Sequence, residues 1–226
     1  MIYSRESITR GIFRAEIISN GSAQTIYTGH DGYRWVAGVP GSTYQVRVKS
    51  LGGRIGVALA VNGRDVLEDK IADLSSPNLQ IIMSEYTFRG FRVDDSTTRE
   101  FVFGEVYGSV AEQARHIGSV GTIGIAAWRE MPHRVEEVAY RGMDFQSRGI
   151  AAGARAGHPS LDTHAGDTRH DPVHRVEFDC SGSPDILEIG YDTLAALDRM
   201  GITRRFTNDH PRAFPGSTTG YETYRP

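Results

Sequence analysis

Residues 43–49 carry the clearest alternation of hydrophobic and polar positions in the chain. Tyr44, Val46 and Val48 are separated by single polar residues. Successive side chains of a β-strand point to opposite faces of a sheet, so this spacing places the three hydrophobic side chains on one face. The pattern therefore predicts a half-buried strand of an antiparallel sheet, with one face against the core and the other in water.

Comparable short runs recur roughly every eight to twelve residues as far as residue 130, a spacing typical of β-sandwiches. They predict strands over residues 12–18, 33–36, 43–49, 55–61, 79–83 and 117–129, with two further strands inside residues 87–103. The turns between them are rich in glycine, and Asn62-Gly63 is a dipeptide that favours the two-residue turn of a hairpin. The sequence thus predicts an all-β fold, with an antiparallel β-sandwich as the body over residues 1–130.

The pattern changes after residue 130. Residues 131–172 combine glycines and histidines without hydrophobic periodicity, which predicts a flexible linker or a long loop. Residues 173–206 resume the alternation, and they predict additional strands at 173–179 and 185–191.

The C-terminal part ends in a helix and a tail. A short helix is predicted over residues 192–200, with Asp192 as the candidate N-cap and Gly201 as the stop. Residues 207–226 predict an extended polar tail, because three prolines and three aromatic residues cannot build a core of their own.

Composition limits the class of protein. The 226 residues are enough to bury a sizeable core, and the mean hydropathy is −0.36 without any apolar run long enough to span a membrane. Arg5, Glu6, Arg10 and Arg14 interrupt every candidate apolar core of a secretion signal. Cys180 is the only cysteine, so an internal disulfide and a thiolate zinc cluster are excluded. We therefore expect a virion or cytoplasmic location.

The charges favour protein partners. A net charge of −3 argues against general nucleic-acid binding. Lys49 and Lys70 are the only lysines among 25 basic residues. Arginine pairs with carboxylates in a forked geometry and is enriched in protein interfaces, although a GC-rich genome explains the same bias equally well.

Four segments in order resemble a known family. They are RWVAGVPGSTYQVRV, RIGVALAVNGRDVL, FRGFRVDDSTTREFVF and HIGSVGTIGIAAWRE. Together they resemble a family of largely uncharacterised β-sandwich proteins encoded in bacterial and phage genomes, over roughly residues 33–130. Asn62 stands where that family commonly has Asp, and Phe91 where it commonly has Trp. The resemblance implies a jelly-roll-like sandwich and a phage or prophage setting, and it implies no catalytic residue.

Two sets of side chains are candidate metal ligands. His170 and His174 have a spacing that zinc sites use on one helical turn, but Asp171-Pro172 between them disfavours a helix, so a solvated loop is the alternative. Asp94-Asp95 could bind calcium with Asp73 or Glu85. Because DDSTTRE lacks a third well-spaced acid, the sequence favours a hairpin turn there, in which Asp95 or Ser96 caps the backbone.

Catalytic motifs are not evident in the sequence. Ser109 lacks the second glycine of a nucleophile elbow, and the glycines of GSVGTIG are followed by neither a lysine nor a helix. Cys180 lies at the predicted end of a strand, without a recognisable base. We therefore expect no catalytic residues and no cofactor, with a metal-dependent hydrolase as the least favoured alternative.

Aromatic residues suggest where partners bind. Tyr33, Trp35 and Tyr86 lie near predicted turns, where aromatic rings can stack on sugars, although ordinary core packing is the alternative. In the tail, Phe214, Tyr221 and Tyr224 are candidate partner contacts.

The sequence as a whole predicts a structural or interaction protein. We expect it to self-associate as a homo-oligomer or to bind a larger scaffold, for example as a decoration or fibre-type component of a phage virion. A carbohydrate- or surface-binding module is the alternative.

Overall fold

Fifteen strands and one helix build a two-sheet sandwich in the described part of the chain. The structure is a computed structural model, and it describes residues 6–105, 120–131, 161–171 and 176–203. The first sheet contains β1 (Ile8–Arg10), β2 (Phe13–Ser19), β3 (Ser22–Ala23), β6 (Thr43–Ser50), β10 (Glu85–Phe88), β11 (Gly90–Asp94), β12 (Thr97–Glu105) and β14 (Leu161–His170). The second contains β4 (Ile26–Thr28), β5 (Arg34–Gly38), β7 (Ile55–Val61), β8 (Arg64–Asp65), β9 (Gln80–Ile82), β13 (Thr122–Glu130) and β15 (Cys180–Thr193). A short helix, α1 (Leu194–Arg199), follows β15 directly.

The first sheet is antiparallel throughout. β2 pairs with β6 along its whole length, with β1 and β3 on its other side. Two consecutive strands of the chain then pair with different neighbours. β10 pairs with β6, and β11 pairs with β12. β12 then carries β14 on its far side, so β14 forms one border of the sheet among the described residues.

The second sheet has the order β4-β5-β15-β13-β7-β8, with β9 also paired to β7. β5 and β15 run parallel, and the other pairs are antiparallel. β15 therefore lies in the middle of this sheet, although it comes from the C-terminal part of the chain.

Alternating side chains from both sheets form the core. Tyr44, Val46 and Val48 of β6 are buried, as the sequence pattern predicts. The ring of Tyr44 stacks on Phe103 with centroids 4.2 Å apart and on Phe101 with centroids 5.2 Å apart. Burial of such large apolar side chains is the main stabilising contribution in a fold of this size.

A chain of buried hydrogen bonds joins the two sheets inside this core. The Thr163 hydroxyl lies 2.7 Å from the Tyr44 hydroxyl and 2.6 Å from the Tyr191 hydroxyl. Tyr191 donates to Oδ1 of Asn62 at 2.7 Å, and the backbone N–H of Thr122 donates to the same oxygen. Because Tyr44 and Thr163 belong to the first sheet and Tyr191 to the second, the chain fixes how one sheet sits on the other.

The predicted all-β sandwich with a short C-terminal helix is confirmed. The hairpin turn at Asn62-Gly63 also forms, with positive φ angles of 53° and 77°. The N-cap of α1 is Thr193 instead of Asp192, since the Thr193 hydroxyl accepts a hydrogen bond from the N–H of Ala196. Gly201, with φ of 74°, follows the helix end as predicted.

The predicted linker over residues 131–172 is wrong for residues 161–170, which form β14. This strand has little hydrophobic periodicity because only its first half faces the core, with Leu161 and Thr163 buried. Its conformation comes from pairing with β12 over the whole length of the strand. The body of the fold therefore extends beyond residue 130 and includes β14, β15 and α1.

The strand predicted at 173–179 is also wrong for its described part, residues 176–179, which lie before the start of β15. Phe178 instead packs across the second sheet, where a Cβ on Gly56 would lie 2.8 Å from its ring. The guanidinium carbon of Arg54 lies 5.7 Å from the centre of the same ring.

Several predictions concern residues outside the described ranges. They are the linker residues 132–160, the first residues of the strand predicted at 173–179, and the tail 207–226. Within the described ranges, no helix is long and apolar enough to cross a membrane.

Candidate functional site

A groove of about 440 Å³ opens between the β8–β9 connection and the β11–β12 hairpin. Its volume is in the range of sites that take a small molecule or a few side chains of a partner. The lining residues are Arg64, Leu67, Glu68, Asp69, Phe91, Arg92, Val93, Asp94, Asp95, Arg99 and Ala165. The groove thus combines apolar side chains with seven charged ones.

A buried carboxylate shapes the first wall of the groove. Asp65 accepts hydrogen bonds from the N–H groups of Leu67 and Glu68 and from the side-chain amide of Asn78. These bonds fold the chain after β8 into a compact loop. The N–H of Arg92 donates to the carbonyl of Val66 at 2.7 Å and joins this loop to the second wall.

The second wall is the turn between β11 and β12. Oδ1 of Asp94 accepts from both the N–H and the hydroxyl of Ser96, each at 2.8 Å. The capping residue of the turn is therefore Asp94, where the sequence analysis predicted Asp95 or Ser96. These hydrogen bonds, first of all the one from the Ser96 backbone, lower the pKa of the Asp94 carboxyl below its ordinary value.

Most charges in the groove already have partners within the chain. Arg64 forms an ion pair with Asp69 at 2.7 Å, and Lys70 forms one with Glu68 at 2.7 Å. Arg99 and Asp95 are the lining residues that carry a full charge without an ion pair or side-chain hydrogen bond among the described residues. A ligand in the groove would therefore meet one cation and one anion that lack an ion-pair partner in the described part of the chain, together with the apolar lining residues.

Arg92 is the most buried charged side chain of the groove. Its side chain is 8% exposed, and it forms an ion pair at 3.0 Å with Asp171, whose backbone carbonyl accepts a further hydrogen bond from Arg92 at 2.7 Å. The Nε of Arg92 is buried, and no residue in the described ranges forms a hydrogen bond with it. Tyr86 donates to the same carboxylate at 3.2 Å. Burial, and then the nearby charge of Asp171, raises the pKa of Tyr86.

The three predicted sugar-stacking residues do not form one platform. Tyr86 lies in the first sheet and uses its hydroxyl for the bond to Asp171. Tyr33 and Trp35 lie at β5 in the second sheet, with ring centroids 5.3 Å apart and planes inclined at 63°. A Cβ on Gly190 would lie 2.6 Å from the Trp35 ring, so one face of the indole rests on β15.

The predicted metal ligands are not brought together. His170 is the exposed last residue of β14, and His174 lies outside the described residues. In the described part of the chain no three His, Cys, Asp or Glu side chains cluster as a metal site would require. The tail contacts Phe214, Tyr221 and Tyr224 also lie outside the described residues.

Cys180 stands at the start of β15 and is partly exposed. Burial, and then the charge of Asp179, raises the pKa of its thiol. A raised thiol pKa lowers the fraction of thiolate, which is the reactive form. The environment of Cys180 therefore does not favour a nucleophile.

The sequence analysis missed the groove residues Arg92 and Arg99, and it missed Asp171 as the ion-pair partner of Arg92. Arg92 and Arg99 stand on either side of the Asp94–Thr97 turn, and a predicted hairpin there could have placed both near its end. Asp171 could not have been found in this way, because it arrives 79 residues after Arg92.

Comparisons with protein families, with curated proteins and with solved structures gave no match to this chain. The family resemblance drawn from the sequence therefore stays a prediction.

The state of Asp94 can be measured directly. We expect its carboxyl to titrate below 3.8 in the folded protein, because the hydrogen bonds from Ser96 stabilise its charged form. The ionised Asp94 carboxyl therefore adds to the stability of the folded protein. This contribution is complete at pH values above 3.8, the ordinary pKa, and it is lost as the pH falls through the lower pKa of the folded state. Carbon-detected NMR of the side-chain carboxyls measures the titration.

Ser96→Ala is the matched variant for this titration. It removes the hydroxyl donor and leaves the backbone donor, so the pKa of Asp94 should rise part of the way towards 3.8. A titration that is identical in both proteins would contradict the assigned cause.

Proposed function

We propose that this protein is a structural or interaction protein that self-associates or attaches to a larger assembly, such as a phage particle. The observation that carries the proposal is the composition of the groove. Its apolar residues Leu67, Phe91, Val93 and Ala165 are flanked by charges, of which most are already neutralised within the chain. An apolar centre with a polar rim is the usual anatomy of a protein interface.

The same groove offers little to a catalytic reaction. General acid–base catalysis works best with a group whose pKa lies near the working pH. The pKa of Asp94 is shifted in the opposite direction, downwards. Arg92 and Asp171 neutralise each other in a partly buried ion pair.

Exposed apolar side chains near the groove also support a protein partner. Val93, on the groove itself, is 52% exposed, and Ile71, which forms a backbone bridge with Arg64, is 65% exposed. Of the two, Val93 lines the groove, where an exposed apolar side chain can add to the contact with a partner.

Sedimentation velocity of the full chain over a range of concentrations tests the proposal. We expect a concentration-dependent rise in mass that Val93→Asp reduces, because a charge would enter the apolar centre of the contact. Val176→Asp is the matched control, since Val176 is 57% exposed and lies before β15, away from the groove lining. A chain that ends at residue 206 shows in the same experiment whether the tail takes part.

A chain that sediments as a monomer at every concentration, with or without Val93→Asp, would contradict self-association. A glycan array is the corresponding test of the alternative, a carbohydrate-binding module. Reproducible binding of a sugar that Trp35→Ala abolishes would favour that alternative over the proposal.

A further inference from the structure

Two hairpin turns of this chain consist of the same two residues, an asparagine followed by a glycine. They are Asn20-Gly21, between β2 and β3, and Asn62-Gly63, between β7 and β8. The φ angles are 52° and 75° in the first turn and 53° and 77° in the second. Positive φ at both positions is the mark of a type I′ turn. The two turns therefore share residues and φ angles, and they differ in their surroundings.

An Asn-Gly pair is the dipeptide most prone to spontaneous deamidation, because glycine has no side chain to hinder the attack. The backbone nitrogen of the glycine loses its proton to the solvent and forms a bond to Cγ of the asparagine. The bond from Cγ to the amide nitrogen breaks, and ammonia leaves. Water then opens the cyclic imide at one of its two carbonyls and gives aspartate or isoaspartate. Water is the only reactant besides the chain, and nothing is oxidised or reduced.

The surroundings of Asn62 block this reaction in the folded protein. Its side chain is buried, and Oδ1 accepts hydrogen bonds from the Tyr191 hydroxyl at 2.7 Å and from the N–H of Thr122 at 3.2 Å. These bonds hold the carboxamide in place, and its burial keeps out the water that takes up the proton. Because they belong to the hydrogen bonds that join the two sheets, ring closure at Asn62 requires the core to unfold.

The surroundings of Asn20 leave the reaction open. Asn20 and Gly21 are both exposed. Among the described residues, the Asn20 side chain forms no hydrogen bond. β3 has two residues and pairs with β2 alone, so the tip of this hairpin separates without any disturbance of the core.

Gln24 holds the exposed hairpin closed. Its Nε2 donates to the carbonyls of Ser19 and Ser22, each at 3.0 Å, and these are the residues on either side of the turn. A type I′ turn keeps the glycine nitrogen directed away from Cγ of the preceding asparagine, so the turn must open before the ring can close. The two hydrogen bonds from Gln24 therefore lower the fraction of time in which Asn20 is reactive.

We propose that Asn20 is a site of spontaneous deamidation, at a rate set by the opening of the β2–β3 hairpin, and that the fold protects Asn62. Each event replaces a neutral amide by a carboxylate and adds a negative charge at the tip of the hairpin. The isoaspartate product also carries its peptide bond on Cγ, which lengthens the main chain by one carbon. A two-residue turn of the type I′ geometry does not accommodate this extra atom.

Peptide mapping by mass spectrometry tests the proposal on the full chain, aged at neutral pH. Trypsin places Asn20 on the peptide 15–34 and Asn62 on the peptide 55–64, so the two sites are measured separately. We expect deamidation at Asn20 to be at least about a hundredfold faster than at Asn62, because Asn62 reacts only from the unfolded state.

The same measurement in urea is the control for the local sequence. The unfolded chain exposes both Asn-Gly pairs equally, so the two rates should become similar. Equal rates in the folded protein would overturn the proposal. A difference of the same size in urea would assign the effect to the neighbouring residues and overturn the protection by the fold.

Gln24→Ala tests whether opening of the hairpin sets the rate. The substitution removes two hydrogen bonds that only the closed hairpin makes, so deamidation at Asn20 should become about fivefold faster. Gln80→Ala is the matched control, because Gln80 is also half-buried and donates to a backbone carbonyl, but it lies on β9 of the other sheet. An unchanged rate in Gln24→Ala, or an equal rise in the control, would overturn the role of the hairpin.

Isoelectric focusing of the intact protein gives an independent readout. Asn20→Asp marks the position of the aspartate product, and the aged protein should accumulate a species that migrates with it. In Asn20→Gln this species should be missing, because the longer side chain forms its ring far more slowly. An acidic species that accumulates at the same rate in Asn20→Gln would place the modification at another residue and overturn the proposal.

Discussion

Gly90→Ala should lower the free energy of unfolding by about 3 kcal/mol, the upper part of the usual range for an overpacked site. Gly90 is the first residue of β11 and lies opposite Glu100 of β12. A methyl group there would overlap the backbone carbonyl of Arg99 and approach Cα of Glu100 to 2.9 Å. Backbone atoms cannot swing aside as a flexible side chain can, so the two strands must move apart. Urea denaturation followed by tryptophan fluorescence measures the loss.

The second sheet offers the matched control for this substitution. Gly124 lies within β13, and a methyl group there would meet only Cβ of Ala60, at an ordinary 3.9 Å. Gly124→Ala should therefore change stability by less than about 1 kcal/mol, since it adds a side chain where there is room and removes freedom from the unfolded chain. Equal losses in the two variants would show that crowding at Gly90 is not the cause.

Thr163→Val should destabilise the protein by about 2 kcal/mol, although the two side chains have nearly the same shape. The Thr163 hydroxyl lies between the hydroxyls of Tyr44 and Tyr191, and all three residues are buried. Replacing it with a methyl group removes two hydrogen bonds in a region that water does not reach. Thermal and urea unfolding of the variant give the difference directly.

Thr98→Val provides the opposite expectation on the neighbouring strand. Thr98 is also buried, but its hydroxyl has no hydrogen-bond partner among the described residues. Removing an unpaired buried hydroxyl should leave stability unchanged or raise it by about 1 kcal/mol. Both substitutions change the shape of the side chain in the same way, so a difference in sign between their effects on stability would come from the hydrogen bonds. An equal loss of stability in both variants would show that the hydrogen bonds of Thr163 are not the cause.

Strands whose two faces differ were the ones that the sequence predicted well. β6 and β7 match their predicted ranges closely, because each has a buried face of large apolar residues and short turns at both ends. β14 could not be found in this way. Its second half is exposed, and its bulge breaks the alternation on which the prediction depends.

The groove was only partly accessible to the same reasoning. The sequence drew attention to Asp94 and Asp95, which do lie in the groove, and correctly favoured a hairpin turn at that point. The pairing of Arg92 with Asp171 depends on where the end of β14 meets β11, which no local pattern reports. The sequence places Tyr86 near a predicted turn, and the same meeting of strands accounts for its bond to Asp171.

The central position of β15 has a consequence for how the protein is made. Synthesis proceeds from the N-terminus, and β5 can pair with β4 early, but its other partner, β15, emerges more than 140 residues later. Contacts between such distant parts of a chain slow the search for the native state. The growing polypeptide therefore leaves the ribosome with one layer incomplete and its apolar side uncovered, and uncovered apolar surface of this kind favours aggregation until β15 arrives.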